Sequence, residues 1–138
     1  MKHLKKTAFI LFIIFTSCND SQKKYEGAWV VGQAYYNNEP VIWDMYSNIF
    51  YLNKDNTCEL PIYNTNDRYT GKKTGHWHLL KKGEITYIQI KTKNSIFNRT
   101  FKIEKIEQIP HPFAPGDQLK IILTSDSLKF DCFKELPL

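Results

Sequence analysis

From residue 25 onward the chain predicts an all-β domain: an antiparallel meander of about eight strands, closed into a small barrel. Three observations predict it. Apolar and polar residues alternate in short runs, as in 84–92 (EITYIQIKT) and 118–125 (QLKIILTS), which is the period of a half-buried strand. Turn-forming residues separate those runs. Beyond the first residues, no apolar stripe of helical period persists for three turns.

The start of the chain reads differently. Met1-Lys2-His3-Leu4-Lys5-Lys6 is basic, residues 8–15 (AFILFIIF) are apolar, and Thr16-Ser17 are small residues before Cys18. These are the three parts of a secretory signal. As a helix the apolar run rises about 12 Å, well short of the roughly 20 residues of a bilayer span. Residues 1–17 are therefore expected to be a cleaved signal helix and not an anchor. Residues 18–24 follow as Cys18 and a short polar tether (NDSQKK), and 25–138 as the barrel domain.

Within that domain the expected strands are 27–36 (GAWVVGQAYY), 48–52, 57–63, 68–70, 74–80, 84–92, 97–107, 118–125 and 128–136. Lys54-Asp55-Asn56, Lys82-Gly83, Lys93-Asn94 and Ser125-Asp126 supply turns between them. Two connections are longer. Residues 37–47 (NNEPVIWDMYS) can hold a short helix or an irregular strand. Residues 110–117 (PHPFAPGD) carry three prolines, which exclude a strand interior. A meander of this kind must close or split into a sandwich to bury its apolar faces, and closure also removes exposed edges.

Composition limits the function. Without residues 1–17 the chain has 121 residues, enough for one domain. Lys2, Lys5 and Lys6 leave with that segment, so 19 basic residues become 16 against 14 acidic, a net charge of +2. No basic stripe remains for nucleic acid, which is not an expected partner. There is no Gly-x-Ser-x-Gly, no phosphate loop and no conspicuous carboxylate pair. Neither an enzyme nor a cofactor is expected.

Several side chains remain open to two readings. Cys58 and Cys132 both fall on apolar strand faces. In an oxidising compartment they could form a disulfide, whose loop of about 75 residues would stabilise by roughly 4 kcal/mol. They could equally be buried thiols packing as small hydrophobes. His76 and His78 lie on one strand face about 7 Å apart, a spacing that ligates zinc only if a third group converges. With Trp77 and Leu79 inward, both histidines point to water, and no metal site is expected. Arg99 shares a strand face with Phe97, Phe101 and Ile103. It either meets an acidic partner inside or, as expected, lies on the surface, because burying an unpaired guanidinium is costly. Tyr35, Tyr36, Trp43, Met45, Tyr46 and Tyr51 surround the first long connection. They could gate an apolar ligand at the barrel mouth, or Trp43 and Met45 could plug the barrel.

Two resemblances add to these readings. Phe15-Thr16-Ser17-Cys18 resembles a lipobox of the looser Bacteroidetes form, with phenylalanine in place of the usual leucine. It implies lipidation of Cys18 and attachment to the cell envelope. Asn19, where aspartate would retain a protein at the inner membrane, implies the outer membrane. Gly27-Ala28-Trp29 resembles the Gly-x-Trp signature of lipocalins. The strand–turn–strand at 49–58 and Gly75-His76-Trp77 follow in the order seen in lipocalin-like domains of Bacteroidetes lipoproteins, across 25–138. The resemblance implies that Trp29 closes the barrel base beneath a basic residue from the last strand, for which Lys134 stands in place of the usual arginine. Gly27, Gly75 and Trp77 are structural in this reading. The mid-chain Thr-Asp-Tyr motif of larger lipocalins is absent.

The expected function is a membrane-anchored, non-catalytic binding lipoprotein. It would take a small hydrophobic ligand or an envelope partner through Tyr35, Trp43, Met45, Tyr46, Tyr51 and Arg99. The alternative is a periplasmic inhibitor or immunity-type module that uses loop 110–117 as a stiff probe.

Overall fold

The computed structural model describes residues 18–63 and 72–138. The signal at 1–17 and the strand expected at 68–70 lie outside the described residues. Among the described residues nine strands are formed: β1 (Gly27–Tyr36), β2 (Glu39–Pro40), β3 (Ile49–Leu52), β4 (Thr57–Glu59), β5 (Thr74–Lys82), β6 (Ile85–Thr92), β7 (Thr100–Pro110), β8 (Asp117–Ser125) and β9 (Leu128–Glu135). Every pairing is antiparallel, in the order β2-β1-β3-β4-β5-β6-β7-β8-β9. β1 also pairs β9, from Val30↔Phe133 to Tyr36↔Leu128, and this closes the sheet. β2 touches only the end of β1, at Tyr35↔Pro40 and Tyr36↔Glu39. The remaining eight strands make a closed antiparallel barrel, the fold class the alternating pattern predicts.

The alternation works because successive side chains of a strand point to opposite faces. Trp29 and Val31 point inward from β1, Ile88 and Ile90 from β6, Ile121 and Leu123 from β8, and Leu128, Phe130 and Cys132 from β9; all are buried. A bulge between Val31 and Gln33 shifts the phase of β1, so that Ala34 is the next buried residue. A second bulge, between Ile103 and Lys105, bends β7.

The ladders also fix the two ends. The base holds the start of β1, the β3–β4 turn, the β5–β6 turn, the β7–β8 loop and the end of β9. The opposite rim holds residues 37–48, 93–99 and the β8–β9 turn.

Two strands, β4 and β7, differ from expectation in their bounds. Within the segment read as a short tether, Cys18–Lys23 form a helix, α1. It docks on the β3–β4 turn, where the Gln22 amide donates to Lys54 O (3.3 Å) and accepts from Asn56 Nδ2 (3.2 Å). β4 stops at Glu59, because Pro61 lacks the N–H that a ladder requires. Residues 37–47 hold the forms expected of them, a short strand and a short helix: after a two-residue Asn37-Asn38 turn with φ of 50° and 66° come β2 and a single 3-10 turn at Ile42–Asp44. β7 begins at Thr100 and not at Phe97. Asn94 Oδ1 accepts from Ile96 N, and Asn98 N donates to Asn94 O, winding 94–99 into a turn. Phe97 and Arg99 therefore do not share a strand face with Phe101 and Ile103.

Candidate functional site

At the base, Trp29 is buried and its indole Nε1 donates to Tyr25 O (2.7 Å). Lys134 Nζ lies 4.9 Å from the indole centroid and donates to Lys24 O (2.6 Å) and Glu26 O (2.8 Å). This combines a cation–π contact with two charge-assisted hydrogen bonds. Burial lowers the pKa of the ammonium, and the nearby Glu26 carboxylate opposes that shift. Gly27 sits at φ 112°, a conformation other residues rarely adopt, which turns the chain from the base into β1. At Gly75 a Cβ would stand 2.5 Å from Lys91 O, so only glycine allows that strand approach. Trp77 has no exposed surface, and its Nε1 donates to Asn53 O (2.9 Å).

The interior is full. Its void, lined by Trp29, Phe50, Ile88, Ile121 and Cys132 among others, measures about 10 Å³, roughly the room of a single water. The residue that fills the rim end is Phe97. It stacks on Phe130 at 5.9 Å and meets Phe50 edge-on at 5.6 Å. Trp43 does not plug the barrel: it is 91% exposed. Met45 does pack against the core, together with Val41 and Ile42.

Cys58 and Cys132 are free, buried thiols rather than a disulfide. β1 and β3 separate their strands. Through Leu52, Cys58 aligns with Gly27, whereas Cys132 pairs with Val31 four residues further along β1. That offset is about 13 Å along a strand, against the 4.4–6.8 Å between Cα atoms that a bridge requires. Burial pushes the Cys58 thiol up to about 11, only partly offset by a backbone hydrogen bond involving Gly75. Cys132 is raised further, first by burial and then by the charge of Asp131. Thiols held protonated in this way are poor nucleophiles.

The expected ligand-binding residues do not converge. Trp43 and Tyr46 are exposed at the rim. Tyr51 faces outward low on β3, where it pairs with Ala28 and Glu59. The Tyr35 hydroxyl donates to Gln33 Oε1 (3.0 Å), and Lys129 lies over its ring. Arg99 is tied into the rim, with Nε donating to Ile96 O (2.6 Å) and Nη1 3.9 Å from Asp126 Oδ2. His76 and His78 are both exposed on the outer wall, either side of Trp77. Among the described residues no three His, Cys, Asp or Glu side chains come together.

Two outer features remain. At the rim, Val41 N donates to Ala34 O (2.9 Å) and Tyr46 N to Ile62 O (2.7 Å). This loop is pinned at both ends and presents Trp43 outward. At the base, an open groove of about 950 Å³ runs between β1 and the β7–β8 loop, past Val30, Phe133 and Phe113. Phe113 is 94% exposed, and sequence reasoning did not single it out. Its signal was a lone aromatic in a proline-rich loop, where no core face is available to it.

These features define a class: a closed antiparallel barrel with a filled interior and an aromatic side chain displayed at each end. Compared with known proteins, the chain matches no family model, no curated protein and no solved structure.

Proposed function

We propose that this is a lipid-anchored, non-catalytic binding module of the cell envelope, lipocalin-like in build, and that it engages a protein partner through the Trp43 loop. The observation that carries the reading is Trp43 itself, 91% exposed on a loop whose Val41, Ile42 and Met45 are packed into the domain. A tryptophan held out on an anchored loop loses little freedom on binding, and such residues dominate binding energy at interfaces. The filled interior weighs against a ligand inside the barrel, and the Trp29–Lys134 contact supports the lipocalin resemblance. Lipidation of Cys18 would place the base toward the membrane, the outer one by the resemblance at Asn19, and leave the rim facing the envelope space. Loop 110–117, at the base, is then poorly placed as a probe for a soluble partner.

The test is capture from envelope extracts by the intact lipidated protein and its W43A variant. One specific partner is expected, with affinity lowered about 30-fold or more in W43A, the loss typical of a central interface tryptophan. Thermal stability should shift by no more than about 0.5 kcal/mol, as for other exposed positions. Equal capture by both proteins would overturn the assignment to Trp43.

A further inference from the structure

We infer that the β7–β8 loop is a second membrane contact, inserting Phe113 into the lipid surface beside the Cys18 anchor; this rests on the proposed lipidation of Cys18. Three placements on the barrel lead to it.

The first is the shortness and order of the tether. α1 spans Cys18–Lys23 and is followed at once by hydrogen-bonded turns, Tyr25 N to Gln22 O and Glu26 N to Lys23 O. Tyr25 is already buried in the core. Six helical residues rise about 9 Å, and Gln22 fastens the helix to the β3–β4 turn. A lipid on Cys18 would therefore hold the base close against the bilayer.

The second is that the loop shares this end. Lys134, which grips Lys24 O and Glu26 O, pairs with Leu119. The next pairs outward are Gln118↔Glu135 and then Pro110↔Asp117, and beyond them lies the loop. His111 N donates to Gly116 O (3.0 Å) and closes the loop across its neck.

The third is the chemistry of the tip. Pro112-Phe113-Ala114-Pro115 carries no charge. Phe113 is 94% exposed, and Leu138, 98% exposed, lies beside Gly116. Among the described residues the other base turns expose far less: Asn53–Asn56 shows no large apolar side chain, and Gly83-Glu84 is flanked by Ile85, 40% exposed against 94% for Phe113. A rigid apolar tip next to an acyl anchor has a lipid surface within reach. Burying a phenylalanine there shifts the equilibrium by about one to two orders of magnitude toward contact.

The experiment uses the full chain, expressed in a host that processes lipoproteins and reconstituted into phosphatidylethanolamine/phosphatidylglycerol vesicles with brominated acyl chains. F113W is introduced in a W43F background, so that Trp29 and Trp77 remain as buried emitters. The mass of the mature chain reports lipid on Cys18. The difference in emission between F113W/W43F and W43F reports the loop. The expected result is a blue-shifted added emission, quenched most by bromines about 5–10 Å below the headgroup boundary, the depth of interfacial side chains. With Cys18 lipidated, an added emission that is water-like and unquenched would overturn the membrane contact alone. It would leave Phe113 to a protein partner. An unmodified Cys18 with no quenching would overturn both the anchor and the contact; quenching without lipid would uphold the contact and overturn the anchor.

Discussion

Cys58 and Cys132 show how a single buried group makes stability depend on pH. An ordinary thiol titrates near 9, and Cys58 in the folded barrel near 11; Cys132 is raised further. Below pH 9 both folded and unfolded chains keep these protons, so the stabilisation is fully present. Between about 9 and 11 the unfolded chain releases protons that the folded one retains, and stability falls. Tyr25, raised by burial, adds to the loss, whereas Lys134, lowered by burial, acts in the opposite direction. Comparison with a C58A/C132A variant therefore isolates the thiols. Urea midpoints measured between about pH 8 and pH 10.5 should fall more steeply for the native chain than for the variant. Parallel slopes would mean that the thiols are not protected. At neutral pH neither thiol should react with an alkylating reagent until the chain unfolds.

Elements were legible in the sequence wherever a strand has one wet face and one dry face. β1 is legible to the residue, and β5, β6, β8 and β9 to within two, because inward residues such as Trp77, Ile90 and Phe130 alternate with polar neighbours. The rim was not legible, because residues 94–99 follow side-chain hydrogen bonds and not a period. Asn94 and Asn98 wind the chain, and Phe97 is turned into the barrel from a loop. The Asn37-Asn38 turn does carry a sequence signal, since paired asparagines readily take the positive φ of a two-residue hairpin. Site residues were harder still. Lys134 can be proposed from resemblance and Trp43 belongs to the expected binding set, but the outward display of Trp43, and Phe113 altogether, stand out only once exposure is known. The rim plug can be tested directly. Phe97 is fully buried against Phe50 and Phe130, so F97A should cost about 3–5 kcal/mol. It should also leave an apolar cavity under the rim that binds benzene or xenon, measured by urea denaturation with and without the probe. A loss below about 1 kcal/mol would mean that the loop, not its aromatic ring, seals that end.

Across the whole molecule the wall is not equally strong. One side is continuous: β7–β8 is paired from Lys102↔Thr124 to Pro110↔Asp117, β8–β9 from Gln118↔Glu135 to Ser125↔Leu128, and β9 runs along most of β1. The β5–β6 hairpin is equally well paired within itself, from Gly75↔Thr92 to Lys82↔Ile85. Its attachments are short. On one side its ladder with β7 is Tyr87↔Lys102, Ile88↔Phe101 and Gln89↔Thr100, continued by one backbone hydrogen bond from Ile90 N to Arg99 O (2.9 Å). On the other, among the described residues, it depends on β4, three residues long, whose ladder with β3 is Tyr51↔Glu59 and Leu52↔Cys58, closed by Asn53 N donating to Thr57 O (2.9 Å). Opening there breaks few backbone hydrogen bonds, whereas opening β8 from β9 breaks a full ladder. Local openings follow the weakest cooperative boundary. Native-state hydrogen exchange should therefore show amides of β4 and of the β6–β7 seam exchanging through a subglobal opening, ahead of β1, β8 and β9, which should exchange only on global unfolding. Trp77, fully buried on β5 with its Nε1 donating to Asn53 O, ties the hairpin to the β3–β4 turn and resists that opening. A W77F variant, which keeps most of the ring but loses that hydrogen bond, should speed exchange at β4 and the seam while leaving the β8–β9 amides tied to global stability. If the β1–β9 closure exchanged first instead, the barrel would open at the joint between its terminal strands, and the two-part wall described by the ladders would not govern its motion.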